Sequence, residues 1–290
     1  MLDAASVIIA AKSVFPKTCV TKNANNVNFK VLTLKRSSQS SFMPDSYVFP
    51  GGNVDTADSS KAWLDLFGQF GVQNSLFESL APVRKEPNKI NIFDRSDDQI
   101  LKSISLRISG IRETFEESGI LLCKSGQNSN SKSKWASFLS GHEIQEWQQK
   151  VQDNASEFIN LCKHFKCYPD IWSLQTWSNW LSPPDFPKRF NSIFFVASIN
   201  QMPPTFCIGG EINEIKWELP QELIESCNRQ KVQLPPPQYY ELSRLMNFSE
   251  IEQLADYAEQ RNSAPCDLWM SYRIKALDGV VFLFPGKYSD

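Results

Sequence analysis

Residues 111–120 read Ile-Arg-Glu-Thr-Phe-Glu-Glu-Ser-Gly-Ile, and they set three carboxylates where a helix is least hospitable to them. Glu113, Glu116 and Glu117 stand at i, i+3 and i+4, on one face of the last turns of a helix predicted over 98–118. Gly119 is the glycine expected to end it. The helix dipole is negative at that end, which disfavours carboxylates. Mutual repulsion also raises their pKa values unless a cation neutralises them. A hard divalent cation accepts an oxygen-only set of this kind, and magnesium is typically held together with waters and substrate phosphates. The plainer reading of such a cluster is a solvated helix face with an Arg112–Glu116 pair.

The rest of the chain bounds the fold. With 290 residues it can bury a sizeable core. Apolar runs predict strands over 4–11, 28–34, 192–198, 212–217 and 280–284. Helical periodicity is expected over 60–70, 98–118, 141–158, 220–229 and 249–262, the last opened by a Ser249–Glu252 capping box. Strands mixed with helices predict layers of helix around a mixed sheet. The polar stretch 124–134 reads as a flexible loop. The proline-rich stretches at 181–187 and 233–240 limit helices. No run reaches transmembrane length, so membrane insertion is not expected. A net charge of −2 gives no electrostatic case for nucleic acid. Seven scattered cysteines and no secretory segment predict reduced thiols in an intracellular compartment.

The pattern R-E-x-x-E-E-x-G-aliphatic at 112–120 resembles the second half of the Nudix box, G-x5-E-x7-R-E-U-x-E-E-x-G-U. The resemblance implies a Nudix hydrolase: an α+β fold with a mixed β-sheet between helices (α/β/α). It assigns Glu113, Glu116 and Glu117 to magnesium or manganese and Arg112 to orienting them. Thr114 departs from the usual apolar residue at a packing position. The first half of the box is found in "FPGGNVDTAD", 49–58, where Phe-Pro-Gly-Gly is the usual entry to the Nudix loop. Gly52 is the box glycine, and Asp58 stands where the first glutamate should be. Some 46 residues, by the family's spacing, are then inserted before Arg112. The chain is thus expected to be a single domain over 1–290, with an insertion at about 59–105 and additional C-terminal helices. A loop insertion costs little closure entropy. This one is expected to hang over or beside the metal site. In the family, a backbone carbonyl of the glycine loop faces a metal, which implies Gly51 here.

Upstream, "VLTLKRSSQSSFMPDSYVFPGG" resembles a degenerate coenzyme A diphosphatase signature in which Arg36 and Ser37 match. The stretches "FMP" at 42–44, "WSNWLSPPDFPKRFNSIFFVA" at 177–197 and "PPPQYYELSRL" at 235–245 are similar to the acyl-coenzyme A diphosphatases with an interrupted box, the nucleoside diphosphate-linked moiety X motif 19 subgroup. That resemblance implies hydrolysis of coenzyme A and acyl-coenzyme A to adenosine 3′,5′-bisphosphate and (acyl-)4′-phosphopantetheine. It also implies a peroxisomal or mitochondrial location, although the C-terminal Tyr-Ser-Asp is not an S-K-L address. Glu116 and Glu117 are then the principal metal ligands, and Glu113 a ligand or base. Glu211 and Glu214, in a segment resembling a later Nudix segment, are candidates for a further carboxylate. Arg36, Lys188 and Arg189 are candidate phosphate contacts, and Gly52 lets backbone approach the substrate. Trp177 and Trp180 are either core or the lining of an acyl or adenine pocket. Neither histidine, 142 or 164, has a Ser-His-Asp neighbourhood, and 162–167 reads as free thiols. Two alternatives stand beside the main reading: a Nudix hydrolase of another diphosphate such as NADH or a nucleotide sugar, and a binding module without turnover. The oligomeric expectation is a monomer or homodimer.

Overall fold

The computed structural model describes residues 1–13, 27–80, 92–94, 99–126, 133–262, 264–266, 268–277 and 279–283. The chain opens with β1 (Leu2–Lys12), β2 (Phe29–Arg36), β3 (Tyr47–Val48), β4 (Gly51–Asn53), α1 (Ala62–Gln69), α2 (Asn74–Glu78) and α3 (Lys102–Ser118). There follow β5 (Leu121–Ser125), β6 (Phe138–Leu139), α4 (His142–Asp153), α5 (Glu157–His164), β7 (Cys167–Pro169), β8 (Gln175–Leu181) and β9 (Phe190–Ile199). It closes with β10 (Ile212–Glu218), α6 (Pro220–Asn228), α7 (Pro236–Leu245), α8 (Ile251–Asn262), β11 (Leu268–Met270), β12 (Tyr272–Ala276) and β13 (Gly279–Leu283).

β1 organises the rest. Its odd positions from Ala5 to Ala11 enter one core and Ile8 and Ala10 the other, as expected of a strand covered on both faces. Among the described residues the main sheet runs β10-β2-β1-β9-β8-β11, with β3 beside β2 and β4 beside β1. β1 is parallel to β9 and antiparallel to β2, so the sheet is mixed. Helices α1 to α5 supply the first core, with Phe67, Phe115 and Phe158 at its centre. Helices α6 to α8 supply the second, through Leu223, Leu242 and Leu254. This is the α/β/α sandwich that the box implies, with its extra C-terminal helices.

One irregularity of the sheet builds the site. β2 pairs with the C-terminal half of β1, from Ala10↔Val31, and then leaves it. β4 takes its place at the N-terminal half, with Ser6↔Gly51 and Ala4↔Asn53. Phe49 and Pro50 cross the notch, and the Pro50 carbonyl accepts both the Val7 amide and the Ser6 hydroxyl.

Several expectations are corrected. The single helix read over 141–158 is two, because Asn154 Oδ1 accepts from both the amide and the hydroxyl of Ser156. The capping box at α8 is supplied from elsewhere: Asn28 Oδ1 accepts the Ile251 amide, and Glu252 pairs with Lys12. The prolines at 235–237 start α7 rather than stop a helix, since proline suits a first turn. The described part of the insertion packs inward, with Ser59, Gln99 and Lys102 beside Asn53–Asp55 of the glycine loop. It is apolar enough to be drawn into the core, where Phe67 packs on Phe77, Tyr168 and Trp172, and Trp63 on Phe158. Residues 127–132 of the expected polar loop, the predicted helix start at 98, residue 284 of the last strand and the C-terminal tripeptide lie outside the described residues.

Candidate active site

α3 delivers the glutamates. Gly110 lets it press on β1, because a Cβ there would lie 3.0 Å from the Val7 side chain. The buried Arg107 ties it laterally, donating to the Leu174 carbonyl at 3.2 Å and to Thr176 Oγ1 at 3.0 Å. The helix ends at Gly119 in the left-handed conformation, φ +72°, with its amide on the Phe115 carbonyl.

The face presented to β4 carries Arg112, Glu113, Glu116 and Glu117. The Gly51 amide donates to Glu117 at 2.9 Å. At Gly52 the Glu113 carboxyl occupies the space a side chain would need, 2.4–2.6 Å from where a Cβ would stand. Gly51 sits equally close to β1, where a Cβ would meet the Ala5 carbonyl at 2.3 Å. Both glycines are therefore demanded by contact, one by the strand behind and one by the carboxylate in front.

Arg112 is the hub. Its Nε and Nη2 grip the two oxygens of Asp58 at 2.8 and 2.9 Å, Nη1 donates to Glu116 at 2.6 Å, and Nη2 lies 3.0 Å from Glu113. Nη2 also donates to the Asn53 carbonyl at 3.0 Å. Asp58 is itself seated by a 3-10 turn, Thr56–Ser59, in which its Oδ2 accepts the Asp55 amide at 2.8 Å. The aspartate before the insertion and the arginine after it therefore close one buried ion pair. The Gly52-x5-Asp58 spacing carried this position, but nothing in the sequence announced the partner.

The electrostatics follow from burial. Burial pushes the Glu113 carboxyl up to about 8, with Arg112 opposing and the charges of Glu116 and Asp58 adding. It raises Glu116 against the pull of Arg112. It raises Glu117 well above the carboxylate range, helped by Glu113 and resisted by the Gly51 amide and Arg36. Burial also works against the Arg112 charge, but Asp58, Glu113 and Glu116 outweigh it and its pKa is raised. One buried arginine thus faces three carboxylates, with Glu117 a fourth beside them. Among the described residues no three His, Cys, Asp or Glu side chains stand in a ligating arrangement, because Glu113 and Glu116 turn to Arg112 and Glu117 to Gly51. The donor chemistry nonetheless fits a hard divalent cation: oxygen only, crowded, and underneutralised by the protein's own charge.

The remaining candidates divide. Arg36 ends β2, donates Nε to the Phe42 carbonyl at 3.0 Å, and stands close enough to Glu117 for its charge to favour the carboxylate. Glu211 is exposed and its charge raises both Glu116 and Glu117; its carbonyl accepts the Ser37 amide at 2.8 Å. Glu214 points elsewhere, accepting the Tyr47 hydroxyl at 2.6 Å beside Lys216 at 3.3 Å, and those partners lower its pKa. Lys188 lies over the Phe190 ring, and Arg189 donates to the Ser182 carbonyl at 3.1 Å, both within the β8–β9 loop.

Gln148 was not anticipated. Fully buried on α4, it donates to the Glu116 carbonyl at 2.8 Å and the Phe206 carbonyl at 3.0 Å, tying the strap that leads to Glu211 onto the glutamate turn. Trp177 is core rather than pocket, its indole held by the buried Glu241 at 2.6 Å. The thiols of Cys162 and Cys167 are buried with Cys123, while the His164 ring is tilted against Trp147 and edge-on to Phe165. No helix among the described residues is long and apolar enough to cross a membrane.

Comparison with known proteins adds the family. Residues 2–245 match the family described as the NUDT19 Nudix domain. The chain is 34% identical to the acyl-coenzyme A diphosphatase NUDT19 of Xenopus laevis, over 98% of this chain and 79% of that one. It is 31% identical to the protein of the same name from Homo sapiens, over 98% and 78%. Among solved structures, a NUDIX hydrolase from Alicyclobacillus acidocaldarius superposes with a TM-score of 0.62 at 18% identity, covering 88% of this chain and 96% of that one, and so shares the fold. The glycine loop, the glutamate turn and the ion pair that joins them across the insertion have their explanation in that match: the chain belongs to the NUDT19 Nudix domain family.

Proposed function

We propose that this chain hydrolyses the diphosphate of coenzyme A and acyl-coenzyme A with Mg2+ or Mn2+, releasing adenosine 3′,5′-bisphosphate and (acyl-)4′-phosphopantetheine. The observation that carries the reading is the closed box: Asp58 on Arg112, Glu113 against Gly52 and Glu117 on Gly51, assembled across the insertion. The relatives named for this activity cover nearly the whole chain. Glu113, Glu116 and Glu117 would hold the cation, which supplies charge neutralisation at the phosphate oxygens and a more acidic water. Water adds to one phosphorus in line, and the bridging oxygen leaves with the other phosphate. Arg36, at the end of β2, meets phosphate oxygens with its free guanidinium edge. Glu211 takes the proton of the attacking water, since it is the exposed carboxylate whose field reaches the glutamates. Arg112 and Gln148 position: the first fixes Glu116, the second fixes the turn that carries it.

We read residues 1–290 as one domain and place the protein inside the cell, in the peroxisome or mitochondrion, as a monomer or homodimer. The test is incubation with Mg2+ and, separately, coenzyme A, an acyl-coenzyme A, NADH and a nucleotide sugar, with products resolved chromatographically. Adenosine 3′,5′-bisphosphate is expected from the coenzyme A species. Its absence sinks the reading, and turnover of NADH alone replaces it with a dinucleotide hydrolase.

A further inference from the structure

Cys123, Cys162 and Cys167 take no part in the chemistry above, yet the fold gathers all three into one core as buried free thiols. Cys123 lies on β5, the strand that follows the Gly119 turn, Cys162 in the last turn of α5, and Cys167 at the start of β7. β5 and β7 are antiparallel, with Cys123 opposite Pro169 and Ser125 opposite Cys167. Cys123 and Cys167 are therefore diagonal neighbours, and alternation along a strand puts both thiols on the same face of the pair. α5 packs on β7 and brings Cys162 in from the side.

Cys167 is the centre of the group, because the thiols of Cys123 and Cys162 both hydrogen-bond to it. Those two donors hold the Cys167 thiol below its ordinary range, against the effect of burial. The Cys167 contact and burial push Cys123 up, and burial and the same contact push Cys162 up. One sulfur is thus disposed to be a thiolate beside two that keep their protons, the division of labour that thiol oxidation needs. Among the described residues no three Cys, His, Asp or Glu side chains stand in a ligating arrangement, so these sulfurs face one another rather than a metal.

The enclosure has a weak side. β7 is three residues long, stands at the end of the β6-β5-β7 sheet, and includes Pro169, which has no amide to give to a neighbour. The turn before it, 163–166, is largely exposed and holds Lys166 at φ +49°, a conformation costly for a residue with a side chain. A short edge segment of this kind opens locally at small cost, and hydrogen peroxide is little larger than water.

We infer that Cys167 and Cys123 form an oxidation site, in which Cys167 reacts with a hydroperoxide and Cys123 converts the product to a disulfide. With hydrogen peroxide, the Cys167 thiolate attacks one oxygen, the O–O bond breaks, and the departing hydroxide takes up a proton as water. Cys167 is then a sulfenic acid. The Cys123 sulfur attacks it, the S–O bond breaks, and the hydroxide leaves as a second water with the Cys123 proton. Two thiols lose two electrons in all, and one peroxide is reduced to two waters. A dithiol reductant reverses the change. Cys123 is the partner because it shares the sheet and the face with Cys167, whereas Cys162 must reach across from a helix. The bond ties together the two ends of the segment that carries α4, whose Gln148 holds the Glu116 carbonyl. The site does not depend on the diphosphatase reading.

The test takes the full chain, reduced and then freed of reductant, through timed exposure to hydrogen peroxide. Remaining thiols are blocked with N-ethylmaleimide in urea, and the unreduced digest is mapped by mass spectrometry. A Cys123–Cys167 cross-linked peptide is expected, formed at least about tenfold faster than oxidation of the exposed Cys207 and lost on treatment with dithiothreitol. Cys162→Ser should keep the cross-link, and Cys167→Ser should leave Cys123 free to be blocked. Oxidation of the pair no faster than that of Cys207, or a Cys162–Cys167 cross-link in its place, overturns the site. The wild-type map decides between these outcomes by itself if either variant fails to fold.

Discussion

Asp58→Ala should cost the folded state about 4 kcal/mol, and the figure can be built from its contacts. Arg112 and Asp58 are 4% and 1% exposed, so solvent cannot replace the lost partner. Removing one member of a buried ion pair costs roughly 3–5 kcal/mol, chiefly through the charge left behind. Here Arg112 keeps Glu116 at 2.6 Å and Glu113 at 3.0 Å, which places the loss at about 3 kcal/mol, the lower end. The Asp55 amide also loses the Asp58 acceptor that closes its turn, a cap worth about 1 kcal/mol. Asp58→Asn keeps an acceptor for Nε but turns an N–H toward Nη2, and about half the loss is expected. Urea unfolding measures both, with the m-value checked for constancy. A second reading comes from metal dependence. Freed of Asp58, Arg112 draws Glu113 and Glu116 harder, so the Mg2+ concentration for half-maximal activity should rise about tenfold, or about 1.4 kcal/mol. Asp58→Ala within about 1 kcal/mol of wild type, at unchanged m, refutes the tie across the insertion as a structural necessity.

Other consequences are open to measurement. Gly52→Ala puts a Cβ into the Glu113 carboxyl, so about 1–3 kcal/mol of stability and at least about tenfold in kcat should go; unaltered kcat would show that Glu113 need not stand there. Between pH 4.5 and about 8, folded Glu113 holds a proton that the unfolded chain has released, so the metal-free protein should lose stability as pH rises through that window. Mg2+ should therefore raise Tm more at pH 8 than at pH 5, and equal shifts in a thermal scan would contradict the carboxylate site. Glu211→Gln should lower kcat by about a hundredfold or more, whereas Glu214→Gln, serving Tyr47, should change kcat less than about threefold. The reverse ranking would exchange the two roles.

Much of this was legible from residues alone, for identifiable reasons. β1 and β9 announce themselves because strands covered on both faces read as unbroken apolar runs. α3 does so through its terminal glycine and its spacing of carboxylates. β8 was hidden because Gln175, Thr176, Ser178 and Asn179 are polar yet buried, which no hydropathy pattern marks. α7 was hidden behind three prolines that look like an obstacle and act as a first turn. At the site, the glutamates and glycines could be read from spacing, since each is fixed by a local backbone requirement. The bond from Asp58 to Arg112 and the clasp of Gln148 could not, because both join segments far apart in sequence.

The placement of β1 sets the order in which this chain can fold. Its partner along almost its whole length is β9, in register from Leu2↔Phe190 to Ala11↔Ile199. Once synthesised, β1 therefore waits for nearly two hundred further residues, roughly 10–40 s at ordinary synthesis rates. Through that interval Val7, Ile8 and Ile9, fully buried in the finished sheet, have no β9 to cover them. The hazard during synthesis is therefore concentrated in β1, Leu2–Lys12. A chaperone that shields this strand should do more for yield than any stabilisation of the finished fold.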